Sequence, residues 1–184
     1  MKKALNELTS EFINDYSVKH RLVGVGVISK EDAYRLGCVG PMLRASGHAS
    51  DMRKIGYAAY KHLAVEPVVE SSGDCYARCL VRIGEIFQSI DLIRQAAEKI
   101  PEGPVEVKVK GTPNGEYFSR IEQPRGEVIH YVKANGTKFL QRFRVRTPTF
   151  SNIPAMITAL KGSQVADVPN IILTLDPCIS CTER

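Results

Sequence analysis

Cys178 and Cys181 stand near the end of the sequence in "DPCISCTER", two thiols separated by two residues. That spacing lets both sulfurs reach one metal ion or one metal pair, and soft thiolates select zinc, nickel, copper(I) or iron. A dithiol redox pair uses the same spacing, but such pairs usually open a helix after a strand. A coincidental or structural pair is the third reading. A zinc ribbon needs a second CxxC, and the sequence contains none. The metal reading therefore lacks half of its ligands.

A second chemical candidate is Arg125, in "IEQPRGEVIHYV". Pro124 fixes the backbone before it, and Gly126 permits close approach after it. A guanidinium held in that way can present its fork to an anion or ligand. The alternative is a β-turn with an exposed arginine. Cys75 and Cys79 lie one helical turn apart, and Cys38 sits in a glycine-rich stretch; all three are expected to be buried core thiols. His20, His48, His62 and His130 form no HxH or HExxH cluster. No Ser-His-Asp arrangement or phosphate-binding loop is visible.

The elements that must position these groups are legible in part. Residues 3–15 read as an amphipathic helix with Leu5, Leu8, Phe12 and Ile13 at helical spacing. Residues 22–29 are β-branched and punctuated by glycine, and Ser29 caps a short helix with Asp32 three residues on. From residue 37 to 67 the periodicity is poor, and a shaped loop is expected. Residues 74–100 form the clearest element. Cys79, Leu80, Ile83, Ile86, Phe87, Ile90, Ile93, Ala97 and Ile100 follow a 3.6-residue period, which predicts a long core helix capped by Asp74.

After that helix the period becomes two. "VEVKVK" at 105–110 alternates, and 127–133 with 138–145 read as a hairpin turning at Asn135-Gly136. A short helix at 152–161 and the apolar "NIILTL" then lead to the thiols. The expected fold is α+β and mainly α: a helical bundle with a small antiparallel β-hairpin insertion at about 105–145.

The 184 residues suit a single domain able to bury a core. No apolar run reaches the ~18 residues of a membrane span, and "MKKALNELTSEF" lacks an export signal. The odd count of five cysteines suits a reducing compartment. A net charge of +5 permits nucleic-acid contact, but the basic residues are scattered. Arg142, Arg144 and Arg146 share a strand face, yet RRM and KH signatures are missing, so no nucleic-acid partner is expected.

In combination these motifs carry a resemblance. "DPCISCTER" resembles the C-terminal metal motif of [NiFe]-hydrogenase large subunits, DPCxxCxx followed by His or Arg, in the form found in energy-converting enzymes of the Ech, CO-induced and formate-hydrogenlyase type. "EQPRGEVIHYV" resembles the PRG segment of those proteins and the APKGE segment of the 49-kDa subunit of complex I. "GPMLRASGHASDMRK" and "GDCYARCLVRIGEIFQSIDLI" are similar to blocks shared by both families. The likeness runs from about residue 20 onward. Complex I subunits have lost the metal cysteines and carry Lys at the PRG position; this sequence keeps Cys178, Cys181 and Arg125, which favours the hydrogenase branch.

The resemblance implies a nickel–iron centre with Cys178 as a terminal nickel thiolate and Cys181 as a bridging one. Asp176 would orient and tune the ligands. Arg125 would hang over the open side of the metals as an electrostatic positioner, since its high pKa makes it a poor base. Pro124 would shape the pocket for the ligands on iron, and Glu122 and Glu127 would be proton-relay carboxylates or plain surface glutamates. The chemistry would be heterolytic, H₂ → H⁺ + H⁻. The N-terminal CGxCxxxH-like motif that supplies the other two cysteines is absent. The chain accordingly reads as the C-terminal portion of a large subunit, inactive alone and without stoichiometric metal. Its implied partners are the N-terminal half, an iron–sulfur small subunit and membrane ion-pumping subunits, on the cytoplasmic face. Family members are trimmed three residues past the second cysteine, which here is Arg184. A non-catalytic scaffold or quinone-site module of the complex I type is the alternative.

Overall fold

The computed structural model describes residues 2–183. Helix α1 spans Lys2–Asn14 and α2 spans Tyr16–Leu22, with Asp15 accepting the Val18 N–H at 2.8 Å between them. Helix α3, Lys30–Arg35, begins at Ser29, whose hydroxyl accepts the Asp32 N–H. The irregular stretch after it contains helix α4, Pro41–Arg44, and two single 3₁₀ turns, Met52–Ile55 and Ala58–His62. Arg184 lies outside the described residues.

Helix α5, Cys75–Lys99, organises the molecule. The Asp74 carboxylate accepts the N–H of Ala77 at 2.8 Å and that of Gly24 at 2.8 Å, so one cap fixes both the helix and a distant loop. Gly73 must lack a side chain there: its φ is +68° and a Cβ would meet the Ile28 carbonyl oxygen at 2.1 Å. The first two turns bury Cys75 and Arg78 against α7 and the 22–28 segment, and Ala77 and Val81 against Ala45 at the end of α4. The lower half is different. Ile86 and Ile93 are 46% and 66% exposed, so the apolar stripe runs beyond the core this chain can build.

The sheet is three-stranded and antiparallel in the order β1-β2-β3, with β1 at Asn114–Gln123, β2 at Gly126–Asn135 and β3 at Leu140–Arg146. The expected hairpin is thus β2–β3, and β1 adds a strand that the alternation did not mark. "VEVKVK" forms no ladder. Val105, Val107 and Val109 stand in water because no strand edge lies beside them, and alternation alone cannot supply the cross-strand hydrogen bonds. Residues 136–139 close the second turn, with Thr137 bonded to the Asn135 side chain.

Helix α6, Pro148–Leu160, starts earlier than the expected 152 because Thr147 and Pro148 open it. Helix α7, Val168–Leu175, is the apolar "NIILTL" approach, and α8, Ile179–Thr182, is a single turn. The main core gathers Ile28, Cys38, Met42, Cys75, Ala155, Ile171 and Leu175 from the loops and α4 to α7. The α+β, mainly α class follows, with the helices forming the body and the sheet leaving it as an arm.

Candidate metal centre

The Pro124–Arg125 turn joins β1 to β2 and is anchored from below. Gly40 and Gly126 meet backbone to backbone: a Cβ on Gly40 would lie 2.4 Å from the Arg125 carbonyl oxygen, and one on Gly126 2.7 Å from the Gly40 nitrogen. The 39–40 segment is itself clamped by buried Asn152, which accepts from the Val39 N–H at 2.9 Å and donates to its carbonyl at 3.2 Å. Helix α6 therefore sets the height of the turn, and the turn sets the origin of the Arg125 side chain.

From there the guanidinium crosses to the end of α7. Its Nε donates to the Asp176 carbonyl at 2.8 Å and lies 3.2 Å from Oδ2, while Nη2 donates to Oδ1 at 3.3 Å. Asp176 is one of two non-glycine residues with positive φ, at 60°, among the described residues. It stops α7 in a left-handed conformation that costs an L-residue about 1–2 kcal/mol. Arg82 of α5 holds the same junction, donating to the Leu175 carbonyl at 3.1 Å and reaching Asp176 Oδ2 at 3.5 Å. The carboxylate is bracketed by two cations. Burial lowers the Arg82 pKa, and the neighbouring Asp176 charge opposes that.

The left-handed residue turns the chain into α8, which carries the thiols. The Cys178 N–H donates to Thr149 Oγ1 at 3.2 Å, and the Cys181 carbonyl accepts from the Thr147 hydroxyl, so α6 fastens both ends of the turn. Cys181 N–H bonds back to the Cys178 carbonyl at 3.2 Å. All five cysteines are free thiols. The Cys178 thiol is brought down to about 7 by the Ser180 hydroxyl at 3.1 Å, the Cys181 N–H and the Cys181 thiol, with a smaller pull from Arg125. Burial and the adjoining Cys178 raise the Cys181 thiol. One ready thiolate thus sits beside one proton-holding thiol.

The remaining site candidates separate. Glu122 is buried, not superficial: it takes hydrogen bonds from Arg44 at 2.8 Å and the Met52 N–H at 3.0 Å. Burial raises its pKa against the pull of Arg44. Glu127 pairs with Arg120 at 2.5 Å and Arg146 at 3.8 Å on the sheet. Arg44 and the sheet arginines, rather than Arg125, hold the two carboxylates. Pro124 lines a cavity of about 620 Å³ together with Arg82 and Glu122. Cys38 and Cys75 are core thiols as expected, and burial pushes Cys38 up to about 11. Arg82, Thr147 and Thr149 escaped the sequence reading. For Arg82 a signal existed: Arg78, Arg82 and Glu85 place charges at helical spacing along a helix read as core.

Two soft thiols, one readily ionised, fit two positions of a thiolate-held metal centre. Among the described residues, no group of three or more His, Cys, Asp or Glu gathers to hold a metal ion. The described residues bring together two thiol donors for such a centre.

The profile of the family described as respiratory-chain NADH dehydrogenase, 49 Kd subunit, matches residues 1–114 and 108–184. The chain is 40% identical to the carbon monoxide-induced hydrogenase of Rhodospirillum rubrum over 97% of its own length and 50% of that protein. It is 36% identical to the membrane-bound hydrogenase subunit alpha of Pyrococcus furiosus, covering 100% of this chain and 47% of the relative. A chain of the membrane-bound sulfane sulfur reductase, an archaeal respiratory membrane complex, superposes with a TM-score of 0.92 at 33% identity, covering 100% of this chain and 52% of that one. The chain spans about half the length of the curated relatives it matches. With the profile covering it from end to end, the chain belongs to the family of the 49-kDa subunit of the respiratory-chain NADH dehydrogenase, alongside the hydrogenase subunits it is similar to.

Proposed function

We propose that this chain is the C-terminal portion of the large subunit of an energy-converting [NiFe] hydrogenase. It contributes Cys178 and Cys181 as two of four thiolates, and the other part of the subunit contributes the rest. An iron–sulfur small subunit and membrane ion-pumping subunits complete the assembly on the cytoplasmic face. The observation that carries this reading is the bracketing of Asp176 by Arg125 and Arg82 directly before the two free thiols. That arrangement fixes the direction in which α8 presents its sulfurs.

A nickel–iron pair bound there would supply the Lewis acidity that polarises H₂. This chain's residues do the positioning. In the metal-free chain the Cys178 thiol ionises near neutral pH and Cys181 keeps its proton more tightly; binding a metal would take the proton from both, since a coordinating thiol is deprotonated. The Arg125 guanidinium acts electrostatically on both thiols and forms a positive wall on that side. Asp176 locks that cation so that it needs no reorganisation. Glu122, buried behind the Pro124 turn and held by Arg44, is the candidate proton-relay carboxylate of this reading.

The relatives also include NADH-quinone oxidoreductase subunits C/D of Bacteroides thetaiotaomicron at 36% identity over 100% of this chain. That observation favours a second reading, a metal-free scaffold at a quinone site. The test is metal analysis and H₂-dependent dye reduction on the complete subunit, matured in its own host. We expect nickel and activity in the wild type and neither in Cys178→Ser/Cys181→Ser. A complete wild-type subunit that lacks nickel and binds quinone would establish the scaffold instead.

A further inference from the structure

The lower half of α5 exposes a face built for another helix. Ile86, Ser89 and Ile93 stand at i, i+3 and i+7 on an apolar helix-packing stripe whose Ile90 this chain already buries, with Leu5 of α1 at the cavity's edge. Ile86 is 46% and Ile93 66% exposed, and small Ser89 between them allows close backbone approach. The same face borders the 620 Å³ cavity, which Arg82 of α5 and Arg44, Glu122 and Pro124 from other elements also line. Its lining is part apolar and part charged. Lipid would leave those charges unsolvated, so the surface fits an amphipathic protein segment.

Its direction identifies the occupant. Four residues before Ile86 stands Arg82, which touches Asp176 two residues from Cys178. The stripe from Arg82 to Ile93 rises over 11 residue steps, roughly 16 Å at 1.5 Å each, and its Arg82 end lies at the candidate centre. Relatives carry about as much chain again beyond what this one covers. Arg82 Nε, moreover, is buried without a hydrogen-bond acceptor, so an incoming carbonyl or carboxylate completes it.

We propose that the Arg82–Ile86–Ser89–Ile93 face of α5 seats an amphipathic helix from the part of the subunit outside this chain. The helix lays apolar residues on the isoleucines and brings an oxygen acceptor to Arg82. The inference rests on the reading that this chain works with the other half of the subunit; it does not depend on the metal.

The experiment uses the complete subunit with a protease site between its two parts and an affinity tag on this one. After cleavage the wild-type parts co-elute. Ile86→Lys/Ile93→Lys weakens their association at least tenfold and separates them, and Ser89→Trp, which fills the cavity without adding charge, does the same. The isolated chain carrying either change keeps the urea midpoint of the wild type, since both isoleucines already face water. Undiminished association in both variants overturns the proposal. So does an isolated wild-type chain that runs as a dimer and becomes monomeric on the same substitutions, which would assign the face to a second copy. Nickel is measured separately on the co-eluting wild-type parts: association without nickel supports the docking face and removes the metal reading.

Discussion

Arg125 and Asp176 are joined across 51 residues of sequence, the arginine Nε donating to the aspartate carbonyl at 2.8 Å and standing 3.2 Å from Oδ2. One side chain thereby binds both the backbone and the carboxylate of a residue held at φ 60°. Asp176→Asn keeps a side chain that tolerates the left-handed region and loses only the charge. Both partners are partly open to water, so that loss costs below about 1 kcal/mol. Asp176→Ala loses the tolerance as well and falls by about 1–2 kcal/mol more. Urea unfolding of the isolated chain checks the order. Two variants of equal stability would remove the strain from the account.

Gly40 and Gly126 make the second prediction. Gly40 has φ +66° and a Cβ there would enter the Arg125 carbonyl group. The intruding atom meets backbone, which cannot rotate away. Gly40→Ala is expected to destabilise the chain by about 3 kcal/mol, combining overpacking with backbone strain. Gly37→Ala serves as the comparison. It shares the positive φ but meets nothing within 4 Å, so it carries the strain alone, about 1 kcal/mol. If the two substitutions cost the same, the turn is not seated on residue 40.

How the sequence disclosed these features depends on whether the chain contains both partners of each contact. Asp74 and the upper face of α5 were legible because cap, stripe and core lie in one polypeptide. The Asn135-Gly136 hairpin was legible for the same reason. "VEVKVK" has the period of a strand, but the partner edge is missing, and a strand cannot exist without one. Ile86 and Ile93 have the period of a core helix and face water. Periodicity reports what a face is made to bury and is silent on which chain buries it. The site divided similarly. Arg125, Asp176 and the thiols were singled out by motif and lie close together, whereas the ion pair that buries Glu122 against Arg44 is a long-range fact that local spacing does not encode.

Thiol chemistry gives a third prediction for the isolated, metal-free chain. Alkylation requires thiolate and access. Cys178 is half-buried with its thiol brought to about 7, whereas Cys181 is shifted upward by burial. Iodoacetamide at pH 7 should therefore label Cys178 first and Cys181 more slowly. Cys38 and Cys75, both in the core, should label only on unfolding. Peptide mass mapping over time reads the order. Ser180→Ala removes the largest cause of the Cys178 shift and should slow its labelling at pH 7. Equal rates with and without the hydroxyl would contradict that cause.

Glu122 provides a pH signature. Burial raises its folded pKa above the ordinary value of 4.5. The folded state thus holds the proton more tightly than the unfolded one, and stability falls as pH rises from about 4.5 through the raised pKa. Glu122→Gln mimics the protonated form at every pH. The stability of the wild type relative to this variant should therefore decline across that window. Asp51 in the same nest behaves oppositely. Burial works against its charge, but Arg53 and Arg44 hold its carboxyl below the usual range, so its contribution is lost as pH falls. Chemical denaturation from pH 4 to 8 separates the two, because only the Glu122 component disappears in the variant. A flat difference across the window would mean that Arg44 cancels the burial.

The clamp at Asn152 links the helical body to the centre. Its amide fills both hydrogen-bonding positions of buried Val39, as a neighbouring strand would. Asn152→Ala orphans a buried N–H and a buried carbonyl, each worth about 1–3 kcal/mol, and a loss of about 2–4 kcal/mol is expected. Asn152→Asp keeps the acceptor for the Val39 N–H but sets a carboxylate against the carbonyl, so it should not recover stability at neutral pH. Protonating that carboxylate restores a donor, and the aspartate variant alone should gain on the alanine variant as pH is lowered. Because residue 40 supports the Pro124–Arg125 turn, loosening it should also free the Arg125 side chain from Asp176. Hydrogen exchange at the amides of 125 and 126 reports this directly. Faster exchange there, with α5 amides near Cys75 unchanged, is the expected result. Uniform acceleration throughout would show that Asn152 supports the whole core and not the turn.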